Sequence, residues 1–89
     1  MGVTLKGVIR CGASDAEIIR AALPEHIRLS RAEPGCELFD ISETEPGVFA
    51  VQERFVDAAA FEAHTARTRA SEWWRLTGHI PRDITRKDT

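Results

Sequence analysis

The chain of 89 residues contains no tyrosine and no asparagine, and it has neither a long apolar run nor an excess of basic charge. No stretch approaches the roughly 18 consecutive apolar residues that a membrane span requires. Twelve basic residues against 14 acidic ones give a formal net charge of −2, which leaves no electrostatic footprint for nucleic acid or anionic lipid. The first residues lack the apolar core of a signal peptide, so we expect a cytoplasmic location.

Cysteine is scarce as well. Cys11 and Cys36 are too few and too far apart for a disulfide framework or a metal-binding motif. Each falls in an apolar setting near the end of a predicted strand, so we interpret both as small buried hydrophobic residues. Glycine-rich phosphate loops, dinucleotide fingerprints and Ser-His-Asp or Cys-His arrangements are also absent. We therefore expect no bound cofactor and no metal.

Two E-P-G segments, at residues 33–35 and 45–47, indicate where elements end. Proline cannot donate a backbone hydrogen bond, and glycine permits a tight reversal of the chain. The first segment therefore predicts the end of a helix followed by a strand. The second predicts a short turn between two strands, which should pair antiparallel.

Apolar periodicity and capping residues predict the order strand, helix, strand, strand, helix, strand. The predicted bounds are 3–11, 14–32, 36–42, 48–55, 58–70 and 80–85, with a short helical segment at 71–77. We expect Ser14 to cap the first helix and Pro24 to begin a second segment within it. Asp57 is expected to cap the second helix, and Ser71 the short segment that follows. This is the order of a ferredoxin-like βαββαβ fold of the α+β class, in which two helices cover one face of a four-stranded antiparallel sheet. We expect one domain over residues 1–89.

The third predicted strand, V-F-A-V-Q-E-R-F, alternates between two faces. The face expected beneath the helices carries Phe49, Val51, Glu53 and Phe55. The opposite face still carries Val48 and Ala50, and the first strand adds Val8 to it. A semi-apolar sheet face left uncovered on so small a domain predicts a homodimer that forms face to face.

Glu53 is the acidic residue on the inward face of this strand, so its carboxylate requires a partner in the core. His26 falls on the apolar stripe of the first helix, and His64 lies three residues after Phe61 on the second. Each helix is thus expected to direct one imidazole toward Glu53. Two interpretations stay open: a hydrogen-bonded Glu–His pair that orients a helix, or a general base in a pocket. A metal site is also conceivable for these three side chains, but no short-range ligand spacing supports it.

Trp73 and Trp74 are adjacent on a predicted helix, so one is expected to face inward and the other outward. They could be a core residue and a surface or interface residue, or they could line a pocket for an aromatic substrate. Arg67, Arg69 and Arg75 are expected on a solvated face, and Arg82 is expected to pair locally, beside Asp83.

The chain resembles the antibiotic biosynthesis monooxygenase (ABM) family. The resemblance lies in HIRLSRAEPGCELFDI at 26–41, VFAVQERF at 48–55 and DAAAFEAHTARTRASEWW at 57–74. These segments cover most of the chain and follow the order found in the family. The resemblance implies a ferredoxin-like fold that dimerises through its sheets into an α/β barrel, with a pocket between sheet and helices in each subunit.

The family includes cofactor-free oxygenases of aromatic polyketides or quinols, haem-degrading enzymes and an isomerase of a quorum-sensing breakdown product. A shared fold does not decide among such reactions. By resemblance to the oxygenases, His64 or His26 would deprotonate a phenol or quinol, Glu53 would orient the base, and the resulting anion would react with O₂. The substrate-binding residues would be Trp73, Trp74 and Phe61.

Some members of the family use tyrosine or asparagine, which this chain lacks. Tyrosine features in some polyketide-oxidising sites, and the haem-degrading branch uses an Asn, a Trp and a His. We therefore predict a cofactor-independent monooxygenase that oxidises a phenolic or quinol substrate with O₂. Two alternatives stay open: an isomerase or other proton-transfer enzyme on a small metabolite, or a dimeric barrel that binds a small ligand without turnover.

Overall fold

The computed structural model describes all residues from Met1 to Thr89. Its elements are β1 (Val3–Arg10), α1 (Ala13–Arg31), β2 (Cys36–Glu45), β3 (Val48–Phe55), α2 (Ala58–Arg69), α3 (Glu72–Thr77) and β4 (Arg82–Asp88). This order confirms the predicted βαββαβ arrangement, to which α3 adds one short helix. None of the helices is long and apolar enough to cross a membrane.

The four strands form one antiparallel sheet in the order β2-β3-β1-β4. In the centre of the sheet, Leu5 of β1 lies opposite Glu53 of β3, and Phe39 of β2 lies opposite the same residue from the other side. The edge strand β4 pairs with β1, with Ile84 opposite Gly7. The helices cover one face of this sheet, as predicted.

The hydrophobic core lies between the helices and the inward face of the sheet. Its buried apolar residues are Val3, Ile9, Ala16, Ile19, Leu23, Phe39, Ile41, Phe49, Val51, Phe55, Trp73 and Ile80. On β3, Phe49, Val51, Glu53 and Phe55 are all buried, which confirms the predicted inward face. The carboxyl group of Glu53 is thus placed among apolar side chains.

Helix α1 continues through Pro24, so the predicted second segment is wrong. Its buried residues recur at intervals of three and four on both sides of the proline: Ala16, Ile19, Leu23, His26 and Ser30. Burial of this continuous stripe offsets the cost of about 3 kcal/mol that an interior proline carries. The predicted cap is also wrong, because Gly12 is the N-cap residue and Ser14 lies in the first turn.

The glycines of both E-P-G segments adopt left-handed backbone angles, with φ of +86° at Gly35 and +78° at Gly47. Glycine adopts these angles without steric cost, so each segment reverses the chain as predicted. The two free cysteines lie at opposite ends of β3, since Cys36 pairs with Phe55 and the backbone N–H of Cys11 donates to the Gly47 carbonyl at 2.9 Å. Both cysteines are half-buried rather than fully buried.

Two strands run further than predicted. β2 continues to Glu45, because its pairing with β3 extends to the turn, where Glu45 lies opposite Val48. β4 begins at Arg82 and reaches Asp88, since it pairs with β1 over that whole length. The predicted N-caps of the later helices are confirmed: Asp57 accepts from the Ala60 N–H and Ser71 accepts from the Trp74 N–H.

Candidate active site

A cavity of about 200 Å³ lies between the inward face of the sheet and the helices. Its walls include all six predicted site residues: His26, Glu53, Phe61, His64, Trp73 and Trp74. A cavity of about 150 Å³ with apolar walls is known to hold a benzene ring. On that scale, this cavity has room for one substituted aromatic ring.

His64 projects inward from α2 and is 6% exposed. Its Nδ1 lies 2.8 Å from Oε1 of Glu33, and its Nε2 lies 3.7 Å from Oε1 of Glu53. A carboxylate accepts hydrogen bonds, so Nδ1 carries the proton and donates to Glu33, which leaves the lone pair of Nε2 on the side of Glu53. The Thr68 hydroxyl, 3.4 Å from Nε2, is placed to donate to it.

The surroundings of His64 keep its ring neutral. Burial lowers the pKa of the imidazole, and the Glu33 carboxylate opposes this effect only in part. The pKa therefore lies below that of a free histidine, and Nε2 is unprotonated at neutral pH. A buried imidazole with a free lone pair and a carboxylate on its other nitrogen has the features of a general base.

The hydrogen-bonded partner of His64 is Glu33 and not Glu53, which corrects the predicted pairing. Glu33 lies in the E-P-G segment that ends α1, and its side chain is 13% exposed. Arg67 of α2 also reaches this carboxylate, with Nε donating to Oε2, while its Nη2 donates to the Ser30 hydroxyl at 2.8 Å. The prediction that Arg67 lies on a solvated face is therefore wrong. Arg67 holds Glu33 in place through a charge-assisted hydrogen bond.

Glu53 lies at the centre of the sheet and is 7% exposed. Burial raises the pKa of its carboxyl group from 4.5 to about 7, an effect to which Glu33 adds and which Arg82 opposes. The carboxyl group can therefore take up or release a proton near neutral pH. Its position 3.7 Å from His64 Nε2 brings two proton-exchanging groups together on one wall of the cavity.

His26 has a different environment from His64. Its ring stacks on Trp73, with centroids 4.4 Å apart and an interplanar angle of 1°, and it meets Phe39 edge-on. Its Nδ1 is buried without a hydrogen-bond partner. Burial, together with the nearby positive charges of Arg67 and Arg82, lowers the pKa of His26 to about 3. His26 therefore forms no ion pair with Glu53, although the sequence predicted that the two would meet. It contributes a neutral aromatic ring to the wall of the cavity.

Trp73 is buried and Trp74 is half-buried, and both line the cavity. The guanidinium of Arg82 lies 5.1 Å from the centre of the Trp74 ring and 5.9 Å from that of Trp73. It also donates to the carbonyls of Thr77 at 3.0 Å and Ile80 at 2.8 Å. The pairing expected between Arg82 and its neighbour Asp83 is not found, because the Arg82 side chain instead joins the connection between α3 and β4 to both indole rings.

Sequence reasoning missed Glu33, Arg67 and Arg82 as parts of the site. One of them carried a usable signal: Arg67 lies three residues after His64, so the two share a face of α2. Glu33 follows the end of α1 at Arg31, so helical spacing does not place it. Arg82 had no such signal, because its position depends on the path of the chain after α3. No three His, Cys, Asp or Glu side chains are grouped as metal ligands.

Residues 5–75 match the model of the antibiotic biosynthesis monooxygenase family. The chain belongs to this family. ABM membership supports a function of the monooxygenase type, and the matched residues include every member of the Glu33–His64–Arg67 network. No curated protein matches the chain.

Solved structures share the fold of this ABM chain at low sequence identity. Rv0793 from Mycobacterium tuberculosis has a TM-score of 0.77 and 21% identity, covering 100% of this chain and 95% of its own. PA3566 from Pseudomonas aeruginosa has a TM-score of 0.76 and 23% identity, covering 99% and 93%. A "Putative antibiotic biosynthesis monooxygenase" from Nitrosomonas europaea has a TM-score of 0.79 and 20% identity, covering 100% and 98%. At these identities the similarity establishes the fold alone.

Proposed function

We propose that this protein is a cofactor-independent monooxygenase that oxidises a phenolic or quinol ring with O₂, with His64 as the general base. The observation that carries the proposal is the unprotonated Nε2 of His64, 3.7 Å from Glu53 and within an aromatic-walled cavity. Family membership supports the reaction type, and the cavity volume suits a single substituted ring.

In the proposed reaction the substrate hydroxyl gives its proton to Nε2 of His64. The carboxylate of Glu33, hydrogen-bonded to Nδ1, stabilises the imidazolium that forms. The electron-rich substrate anion then reacts with O₂, and a carbon–oxygen bond forms to give a peroxide, which takes the proton from His64. The C–H bond at that carbon and the O–O bond then break, and the departing oxygen leaves as water with the two protons released. One oxygen atom becomes a carbonyl group on the ring, the other becomes water, and the substrate supplies all four electrons.

His64 is a better base than His26 in this cavity. A histidine with a pKa of about 3, such as His26, has little affinity for the proton of a phenol at neutral pH. His26 also lacks a carboxylate on its other nitrogen, since its Nδ1 has no partner. The stack on Trp73 suits His26 to contact the face or edge of a substrate ring.

Oxygen consumption tests the proposal. The purified protein, treated with chelator, is offered a panel of hydroquinones, phenols and anthrones, and dissolved O₂ is recorded. We expect consumption well above that of a His26→Ala, His64→Ala double variant. The matched control is His79→Gln, because His79 is exposed and pairs with Asp15 outside the cavity. The proposal fails if the wild-type protein consumes no more O₂ than the double variant on every substrate.

A second candidate is a proton-transfer enzyme, such as an isomerase of a small metabolite. The raised pKa of Glu53 beside the neutral His64 favours it, because a carboxyl group that exchanges its proton near neutral pH, next to an imidazole that can accept one, can move a hydrogen between two carbon atoms. Solvent deuterium incorporation without O₂ would support this candidate. Tight binding of a ligand with neither O₂ uptake nor exchange would support a binding protein instead.

We further propose that the outward face of the sheet forms a homodimer. Val8, Val48 and Ala50 are half-buried on that face of a single chain and offer an apolar patch to a second copy. Sedimentation should give twice the 9.9 kDa of one chain. Ala50→Arg should shift the species toward the monomer, whereas Ala63→Arg, on the exposed side of α2, should not. A monomeric wild-type protein at micromolar concentration contradicts this proposal.

A further inference from the structure

Two arginines, Arg69 and Arg82, lie beside Trp74 at one end of the cavity. We call this group of three residues the Trp74 end. Both arginines line the cavity. The Arg82 guanidinium lies 5.1 Å from the centre of the Trp74 ring, and that of Arg69 lies 5.8 Å from it. Two positive charges are thus gathered at one indole ring.

Neither of these arginines forms an ion pair with a carboxylate within 4 Å. Six of the ten arginines form ion pairs with acidic side chains: Arg20, Arg28, Arg31, Arg67, Arg75 and Arg86. The Arg82 donors that are bonded reach only neutral oxygens of Thr77 and Ile80. Arg69 is exposed and holds no ion pair.

The free donors of the two guanidinium groups can be counted. Arginine has five N–H donors in a planar fork. Arg82 uses both N–H groups of Nη1 and one of Nη2, which leaves the Nε donor and one Nη2 donor. Arg69 retains all of its donors. This donor set matches the two oxygens of a carboxylate, which arginine binds in a bidentate manner.

The remaining ionisable groups in the cavity do not cancel this positive charge. Glu53 is the acidic residue of the wall, and its pKa of about 7 leaves it partly protonated at neutral pH. His26 and His64 are neutral, because burial lowers the pKa of each. The cavity therefore carries a net positive charge in a chain whose formal net charge is −2.

We propose that the cavity selects aromatic substrates that carry a carboxylate group, which Arg69 and Arg82 bind at the Trp74 end. The inference rests on the proposed function, since the ring of the same molecule would present its hydroxyl group to His64. The apolar side chains of Leu5 and Phe61 also line the cavity and suit the aromatic ring. The substrate class is thus a hydroxylated aromatic acid rather than a neutral phenol.

Anaerobic binding measurements test the selection separately from turnover. The probes are 2,5-dihydroxybenzoate and its methyl ester, which have the same ring and hydroxyl groups but differ in charge, measured by titration calorimetry at low salt. We expect the carboxylate to bind about tenfold more tightly than the ester, as charge-assisted hydrogen bonds allow. Added salt should weaken the binding of the carboxylate and leave that of the ester unchanged.

The variant Arg69→Gln should fold normally, because Arg69 makes no hydrogen bond, and it should weaken carboxylate binding about threefold with no effect on the ester. Arg69→Lys should recover part of the affinity. The matched control is Arg75→Gln, since Arg75 lies on the neighbouring helix α3 and pairs with Glu72 away from the cavity. Equal affinities for acid and ester, loss of both ligands in Arg69→Gln, or no binding of the acid would each overturn the inference.

The inference and the proposed function can fail separately. Preferred binding of the carboxylate without O₂ uptake when air is admitted supports the inference and contradicts the monooxygenase. O₂ uptake with the neutral ester that equals or exceeds uptake with the acid, together with equal affinities, supports the monooxygenase and contradicts the inference.

Discussion

The two buried histidines lie on different helices, and their surroundings give them different chemistry. His64 donates from Nδ1 to the Glu33 carboxylate at 2.8 Å, while His26 has no partner for Nδ1 and stacks flat on Trp73. Burial lowers the pKa of both rings, but only His64 has a carboxylate that opposes this. Similar burial thus yields a candidate base on α2 and an aromatic wall on α1. The comparison shows that the second nitrogen of a histidine decides its role.

Single substitutions of His64 and His26 should give the largest difference in the rate of O₂ consumption. His64→Gln should lower the rate of O₂ consumption by about 10²- to 10⁴-fold, the usual contribution of a general base. His26→Phe keeps the stack on Trp73 and should change the rate constant only slightly, with any effect confined to KM. The measurement is steady-state O₂ uptake on the best substrate. A larger loss in His26→Phe than in His64→Gln would reverse the assignment of the base.

The carboxyl group that faces His64 should make the folded state sensitive to alkaline pH. The folded pKa of Glu53, about 7, is above its unfolded value of 4.5, so the folded chain holds a proton that the unfolded chain releases, and stability falls as pH rises between these values. Glu53→Gln removes this loss. We compare the free energy of unfolding of the variant with that of the wild type at each pH. We expect this difference to favour the variant by about 3 kcal/mol more at about pH 8 than at about pH 5.

Urea denaturation at the two pH values measures this gain, and Glu37→Gln is the matched control, because Glu37 is exposed on β2. An equal effect of Glu53→Gln at both pH values would show that the carboxyl group titrates normally in the fold.

His26 should produce the opposite pH dependence. Its folded pKa of about 3 is below the unfolded value of 6.5, so the unfolded chain binds a proton that the folded chain does not, and stability is lost as pH falls below 6.5. His26→Phe should remove this loss, giving about 2 kcal/mol more stability at about pH 5 than at pH 7.5, relative to wild type. Thermal or urea unfolding at both pH values checks it, with His79→Phe as the exposed control. A pH-independent effect would contradict the low pKa.

The smallest expected effect is that of Glu33, and it tests whether this residue supports the reaction or only the stability of the fold. Glu33→Gln keeps an acceptor for Nδ1 of His64 but loses the negative charge, so the rate should fall about tenfold, as for other substitutions behind a reacting histidine. Because Glu33 raises the pKa of His64, the acid limb of the pH–rate profile should also move to lower pH. Glu45→Gln in the other E-P-G segment is the matched control, since Glu45 is exposed. An unchanged pH profile would assign Glu33 to stability alone.

Much of the fold could be predicted because it depends on local rules. The alternation of β3 identified Phe49, Val51 and Phe55 as core residues and put Glu53 among them. The caps at Asp57 and Ser71 followed from side chains that accept hydrogen bonds from nearby N–H groups. The start of α1 was misplaced at Ser14, whereas Gly12 is the N-cap residue. The break expected at Pro24 was wrong, because burial of the helix stripe outweighs the local preference of the proline.

Sequence alone determined the order of the elements, the inward face of β3 with Glu53, and the inward positions of His26 and His64, because periods of two and 3.6 residues assign each position to a face. Phe61, Trp73 and Trp74 were expected at the site from the family resemblance. Only the tertiary structure decided which carboxylate binds His64, since Glu33 and His64 are 31 positions apart and meet through the packing of α2 against the end of α1. It also decided the pKa values, because burial and neighbouring charges depend on distances in space, which the order of residues along the chain does not contain.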